Sequence, residues 1–346
     1  MHTMKNLTYI AIAVAAVFAL AACEDKNRVD VRKEAKLPFV PPASLKLETI
    51  VAKDFVKHRN FAADPVRNEG LTSTIDFTYP AEFSNAEVLR TLQLQFLGYA
   101  LGEEAAAAFP EDATTRALVS DWIKEYFKTL LAVWNAEFAA VNSKDRPVES
   151  WVRERHAHVL FANDALIQLR TRRHDDAAGE RVPMTVSAHL FDLATAKEYS
   201  QADIFNVDDA EKIRGLVIDE LLKYWATLRT LATETKAVWE PTASLAELQK
   251  LYKDSKKHDP AKWRRKPEVL LPDLDEAGKV KFDKEAVWTP KTAFAVTPEG
   301  IAVFYSDGEL GSSALGCPAV TIPYATILPH LREGTPVHDL ARTKAE

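Results

Sequence analysis

Two cysteines, Cys23 and Cys317, are all that the 346 residues contain. That scarcity excludes a disulfide-stapled fold and the repeated cysteine pairs of a structural zinc site. Glycine is also sparse at 11 residues, and four of them fall between Ala293 and Tyr324. An excess of positive charge is missing: 44 basic against 50 acidic residues give a net charge of −6. A chain with that balance lacks the basic face that a phosphate backbone demands, so nucleic acid is excluded as a partner. Long apolar runs are absent apart from Leu7 to Ala22, which is too short and alanine-rich for a comfortable membrane span.

That run has another use. Lys5 precedes it and small residues follow, which is the layout of a secretory signal. It ends in Leu20-Ala21-Ala22-Cys23, which resembles the bacterial lipobox. Residues 1–22 are therefore expected to be a lipoprotein signal peptide, with Cys23 as the lipidation site. Cleavage removes only Lys5 from the charge count, giving 43 − 50 = −7. Acyl chains on Cys23 would hold the protein on a membrane, and Glu24-Asp25 behind the cysteine point to the bacterial outer membrane. Cys317 then has no partner in the chain, and a buried, inert thiol is expected.

With 47% apolar and 27% charged residues, the remainder is long enough for substantial cores. Residues 23–45, containing Pro38, Pro41 and Pro42, read as a tether. Alternation over Thr72–Tyr79 predicts a strand that Pro80 ends. Ser84 and Glu87 form a capping box for a helix running to about Phe109. Asp112 opens a second helix carrying Trp122, Phe127, Trp134 and Phe138 on one stripe, which makes both tryptophans core residues and not a carbohydrate platform. Trp151–Arg173 reads as strands around an Asn163-Asp164 turn. Arg170–Arg181 reads as a charged loop, and Val182–Tyr199 as a hairpin turning near Thr195-Ala196. A long helix starts at Asp208, and a shorter one spans Ser244–Tyr252. A basic linker surrounds Trp263. Phe282–Trp288 reads as a strand, and Phe294–Tyr305 as a hairpin turning at Thr297-Pro298-Glu299-Gly300. Val320 and Ile322 lie on a last strand, and a frayed tail follows from Gly334.

Chemistry-bearing groups are few. His156 and His158 share one strand face; that is the spacing of half a metal site, but with no further ligand nearby in sequence the pair is read as surface or interface polar groups and no metal is expected. His174, Asp175 and Asp176 make an acid/base cluster on paper, at what reads as a solvated hairpin tip. Gly308, Gly311 and Gly316 lie between strands, not between a strand and a helix, so they form no phosphate cradle. Ser312-Ser313 lacks nucleophile-elbow spacing, and Cys317 has no activating neighbour.

Thr297-Pro298-Glu299-Gly300, Gly316 and Val320-Thr321-Ile322-Pro323-Tyr324 match, in order and spacing, the C-terminal domain of the RsiV-like family, which this chain resembles over roughly residues 70–332. Phe191-Asp192-Leu193 with Ala202-Asp203-Ile204-Phe205 is similar to a second family segment. The strand at Phe77-Thr78-Tyr79-Pro80 is similar to the start of an N-terminal domain also found in PdaC-type peptidoglycan deacetylases. The resemblance implies an envelope-facing, non-enzymatic module without cofactor. Its implied partner is a lysozyme-like muramidase or a peptidoglycan fragment. The family's Gly-Gly-Ala-His-Gly run is absent, and both tyrosines of its final loop are replaced. The ligand contacts implied here are Asp307, Glu309, Leu310, Ser312 and Ser313. The rivals are a peptidoglycan hydrolase or deacetylase with His156, His158 and Asp175 or Asp176 around a metal, and a structural docking protein of the outer membrane. The expected fold is α+β, with antiparallel hairpins on several long helices. Two interlocked subdomains are expected at 46–206 and 207–333, with a tail at 334–346.

Overall fold

The computed structural model describes residues 28–32, 37, 39–57, 70–141, 151–177, 180–181, 183–235, 275, 280–311 and 317–345. The segment expected to be a tether contains strand β1 (Arg28–Arg32), which pairs antiparallel with β2 (Leu45–Lys57). β2 pairs with β3 (Gly70–Phe83). On β3, Leu71, Ile75, Phe77 and Tyr79 are buried, and Thr72, Thr74 and Asp76 alternate onto the other face. Pro80 does not end this strand. It lies opposite Leu47, beside a register shift between Lys46 and Leu47, where a missing N–H disturbs the ladder least.

The helical layer differs from expectation at its caps. Asn85, not Ser84, caps α1 (Ala86–Leu101), its side-chain oxygen accepting from the N–H groups of Glu87 and Val88. Gly102, at φ 103°, separates α1 from α2 (Glu103–Ala107), so one expected helix is two. Then α3 (Arg116–Val141) begins after Thr115, whose hydroxyl accepts from Leu118 N–H. Leu92 and Phe96 of α1 and Ile123, Phe127, Trp134 and Phe138 of α3 share a core with the buried face of the sheet.

β4 (Trp151–Ala162) returns parallel to β3, an arrangement that needs the long crossover α1–α3 provides. β5 (Leu166–Ala177) follows the expected turn, in which Asn163 Oδ1 accepts from Ala165 and Leu166 N–H. Most of the charged run from Arg170 is therefore strand, not loop. Its register partners on β4 include Arg153 opposite Asp175 and Glu154 opposite His174, and Arg155 adds a two-pronged ion pair to Asp175; opposite charges across strands stabilise a polar strand. β6 (Glu180–Arg181), β7 (Thr185–Asp192) and β8 (Glu198–Tyr199) complete an eight-stranded sheet of order β1-β2-β3-β4-β5-β7-β8, with β6 on β5.

α4 (Gln201–Ile204) and α5 (Ala210–Thr235) lead to the second sheet. Phe282–Trp288 is not a strand: it holds a 3-10 turn at Glu285–Val287, where Asp283 Oδ1 accepts from Glu285 N–H. β9 (Ala293–Val296), β10 (Gly300–Phe304) and β11 (Ala319–Pro323) form an antiparallel sheet of order β11-β10-β9. α6 (Tyr324–Ile327) follows. The expected frayed tail contains α7 (Pro336–Ala345), anchored by fully buried Val337 and Ala341. The helix expected at Ser244–Tyr252 and the basic linker lie outside the described residues.

The protein is thus α+β with two principal cores. In the second, Phe294, Val296, Ile301 and Val303 cluster with Ile213, Val217, Leu221 and Trp225 of α5, and the large sheet contributes Phe161, Leu166 and Leu190. The opposite face of the small sheet, through Ala295, Ala302 and Phe304, meets Leu160, Val186 and Ala188 of the large one.

The junction carries a testable charge. Ser200 and Asp203 form a full capping box on α4. Hydrogen bonds from the Ser200 hydroxyl and N–H, then Lys197, hold the Asp203 carboxyl down at about 2. A carboxyl depressed in the folded state stabilises above its unfolded pKa, and that stabilisation fades as pH falls through the folded one. Asp203→Asn is therefore expected to lower the thermal midpoint at pH 7, with the gap to wild type shrinking below about pH 4 and closing near pH 2. Thermal unfolding of both proteins across that range checks it, and a pH-independent gap would contradict it.

Candidate functional site

The described part of the glycine loop is turned inward. Leu310 is 2% exposed within the second core, so its side chain offers no surface to a ligand. The Glu309 carboxylate accepts from Ser306 N–H at 2.7 Å, and burial pushes its pKa up. The N–H groups of Asp307, Glu309 and Gly311 donate to Met184, Ser306 and Gly308 carbonyls. The loop thus directs these donors and its acid toward its own frame. Cys317 is buried, as expected. Ser312, Ser313 and Cys23 lie outside the described residues.

A different constellation stands on the large sheet. Along β4, Trp151, Arg155, Ala157 and Val159 are buried, and Glu154, His156 and His158 alternate to the opposite, partly exposed face. Asp76 of β3 is the register partner of His156, and on β5 His174 faces Glu154 and Arg172 faces His156. His158 Nε2 lies 3.9 Å from Asp76 Oδ2. His156 Nε2 lies 3.6 Å from Glu154 Oε2, with Arg172 Nη2 at 3.6 Å and His174 Nδ1 at 3.9 Å from the same oxygen. The His156 and His174 imidazoles hold the Glu154 carboxyl far below its usual value, and Glu154 in turn raises His174. Burial lowers His158 against the pull of Asp76.

This corrects the metal set drawn from the sequence. Asp175 alternates to the helical face, where it takes a two-pronged ion pair from Arg155 at 2.8 and 2.9 Å, with the guanidinium over the Trp134 ring. The carboxylate beside the histidine pair is Asp76, delivered by the parallel strand.

A second group was legible only as a Ser-x-His alternation on β7. Ser187 Oγ lies 2.9 Å from His189 Nε2, and His189 Nδ1 lies 2.7 Å from Glu198 Oε1. Hydroxyl, imidazole and carboxylate in that order can activate a nucleophile. Here Thr171 Oγ1 also sits 2.6 Å from Ser187 Oγ, so the serine hydroxyl is shared between Thr171 and His189. Tyr99 stacks on His189 and donates to Glu198, which ties α1 to the sheet edge.

The open face extends beyond the histidines. Helices α1 and α3 contact the opposite side of β3, while the small sheet contacts β4, β5 and β7. Across β2 and β3 the face carries Lys53 and Thr72, both exposed, and Phe55, which is 49% exposed and opposite Thr72.

Residues 202–325 match the model of a family described as a protein of unknown function, DUF3298. No curated protein matches the chain. A crystal structure of a DUF3298 family member from Bacteroides fragilis NCTC 9343 superposes with a TM-score of 0.50 at 17% identity, covering 87% of this chain and 98% of that one. One from Pseudomonas aeruginosa PAO1 does so with a TM-score of 0.39 at 12% identity, covering 84% and 95%. The first likeness is one of fold. Among the described residues no helix is long and apolar enough to cross a membrane.

Proposed function

We propose that this chain is a non-enzymatic, RsiV-like envelope lipoprotein. Cys23 anchors it to the bacterial outer membrane, and its folded part captures a lysozyme-like muramidase or a cell-wall glycan. The observation that carries this reading is the open face of the large sheet. There Phe55, 49% exposed, stands among polar side chains at a position no described helix covers. An exposed aromatic on a polar, rigid surface is the kind of group that anchors protein interfaces and stacks on sugars. With Glu309 and Leu310 turned inward, this reading puts the contact on the open face. The charge of the cleaved chain, 43 − 50 = −7, favours encounter with a cationic enzyme, more through association rate than through affinity.

Calorimetric titration of the purified protein with a basic lysozyme, at low and physiological salt, and with muropeptides tests the proposal. Saturable one-to-one binding that survives physiological salt is expected with one of them. Phe55→Ala is expected to weaken it about tenfold or more, as loss of an interface anchor does. No saturable heat with either ligand class overturns the reading. Full affinity in the Phe55 variant moves the contact away from this face.

A further inference from the structure

We propose that Asp76, His156 and His158 form a binding site for one divalent transition-metal ion of the zinc class. Their three ligand atoms lie within 4.8 Å of one another. Zinc bonds of about 2.0–2.2 Å in tetrahedral geometry place ligand atoms roughly 3.4 Å apart. The closure required is therefore within reach of side-chain rotation alone. His156 and His158 stand at i and i+2 on β4, and Asp76 is the register partner of His156 on β3. The three Cα positions are thus fixed by a hydrogen-bonded ladder, which is the rigid support a metal site needs.

Two atoms of the trio are left over. His156 Nε2 and Asp76 Oδ1 are buried without a hydrogen-bond partner among the described residues. A merely structural Asp–His pair would be expected to close its hydrogen bond, whereas here His158 Nε2 stands 3.9 Å from Asp76 Oδ2, and His156 Nε2 lies 3.6 Å from Glu154 Oε2. Buried polar atoms are satisfied in the great majority of cases, so two orphans in one cluster ask for a missing partner. A cation accepting electron pairs from both imidazoles and the carboxylate supplies it.

The surrounding charge selects which cation. Asp76 and Glu154 are balanced by Arg172, beside Glu154, and Arg170, the register partner of His158 on β5. A cluster with no net negative charge attracts calcium or magnesium poorly, because those ions rely on carboxylate charge and oxygen donors. Two imidazoles and one carboxylate suit zinc and its transition-metal neighbours.

The test uses the untagged full chain, stripped with chelator, dialysed and titrated with zinc chloride. Metal content is read by mass spectrometry and stability by thermal unfolding. Wild type is expected to retain one equivalent of zinc and to gain in midpoint, with excess magnesium or calcium failing to displace it. His156→Gln and His158→Gln keep polarity and similar size. Each is expected to bind roughly a hundredfold more weakly, since even outer partners of a metal site are worth ten- to a hundredfold, and to lose the midpoint gain. Glu154→Gln is expected to keep the stoichiometry. If a histidine variant does not fold, Asp76→Asn takes its place. Wild type that retains no equivalent overturns the proposal, as does equal retention by the His156→Gln/His158→Gln double variant.

Discussion

Gly300→Ala is expected to destabilise the protein by roughly 3 kcal/mol or more, the upper end of what overpacking costs. The position looks permissive, a glycine closing a Thr-Pro-Glu-Gly turn, yet its requirement is spatial. A Cβ at Gly300 would stand 2.1 Å from the carbonyl oxygen of Ile322, 2.9 Å from its carbon and 3.1 Å from Pro323 Cα. All three are backbone atoms of the strand paired with it, where Gly300 faces Pro323, so no side chain can swing away. Relief requires β11 to separate from β10. The Tyr324 hydroxyl, which donates to Thr297 O at 2.6 Å across the same junction, would be lost with it. The contact joins Thr297-Pro298-Glu299-Gly300 to Val320-Thr321-Ile322-Pro323-Tyr324 in this chain: the turn receives the backbone of the last strand and the tyrosine that follows it. Gly215→Ala is the control of opposite sign. It lies inside α5 with no described neighbouring atom within 4 Å of the added methyl, and a gain of about 0.5–1 kcal/mol is expected from helix propensity. Urea unfolding of the three proteins decides the matter. A Gly300 variant as stable as wild type would mean that the two strands do not approach as closely as described.

What the sequence made legible follows from how local each signal is. β9 and β10 were readable because alternation and turn chemistry both lie within a dozen residues. Asn163 announced its turn for the same reason. Leu310 was misread because glycines and serines around it suggest a surface loop, whereas one leucine suffices to pin such a loop into a core. α7 was missed because its anchors, Val337 and Ala341, make only one i, i+4 pair. The charged half of β5 read as a loop because the groups that stabilise it, Glu154 for His174 and Arg155 for Asp175, belong to the neighbouring strand. The metal trio was half visible. The i, i+2 histidines show on β4, but Asp76 reaches them only through a parallel pairing across three helices, and no spacing rule encodes that. The nearer carboxylates in sequence, Asp175 and Asp176, were natural candidates, and strand alternation sends Asp175 to the other face.

Gln168→Leu is expected to cost about 2–4 kcal/mol, chiefly from an unmet buried N–H and a forced repacking. Gln168 is completely buried on β5, and its side-chain oxygen accepts from Val296 N–H at 3.1 Å. Among the described residues β9 is the edge of the small sheet, and no strand on that side receives the Val296 proton. The side chain of one sheet thus completes the edge of the other, and the bond fixes how β9 sits over β5. Leucine fills nearly the same volume and adds apolar surface, yet it leaves Val296 N–H buried without an acceptor. Gln168→Glu separates the two effects, because it keeps an acceptor but places an ionisable group where no water reaches. It is expected to be destabilising at neutral pH and to recover toward acid, as a carboxyl whose folded pKa is raised by burial gains stability when protonated. Hydrogen exchange locates the damage. In the leucine variant the Val296 amide is expected to lose protection while the β2–β3 amides keep theirs, since the core under the helices does not contain this bond. Equal loss in both regions would instead mean that the two cores unfold as one unit. The small sheet's position would then be set by the whole interface and not by this one acceptor.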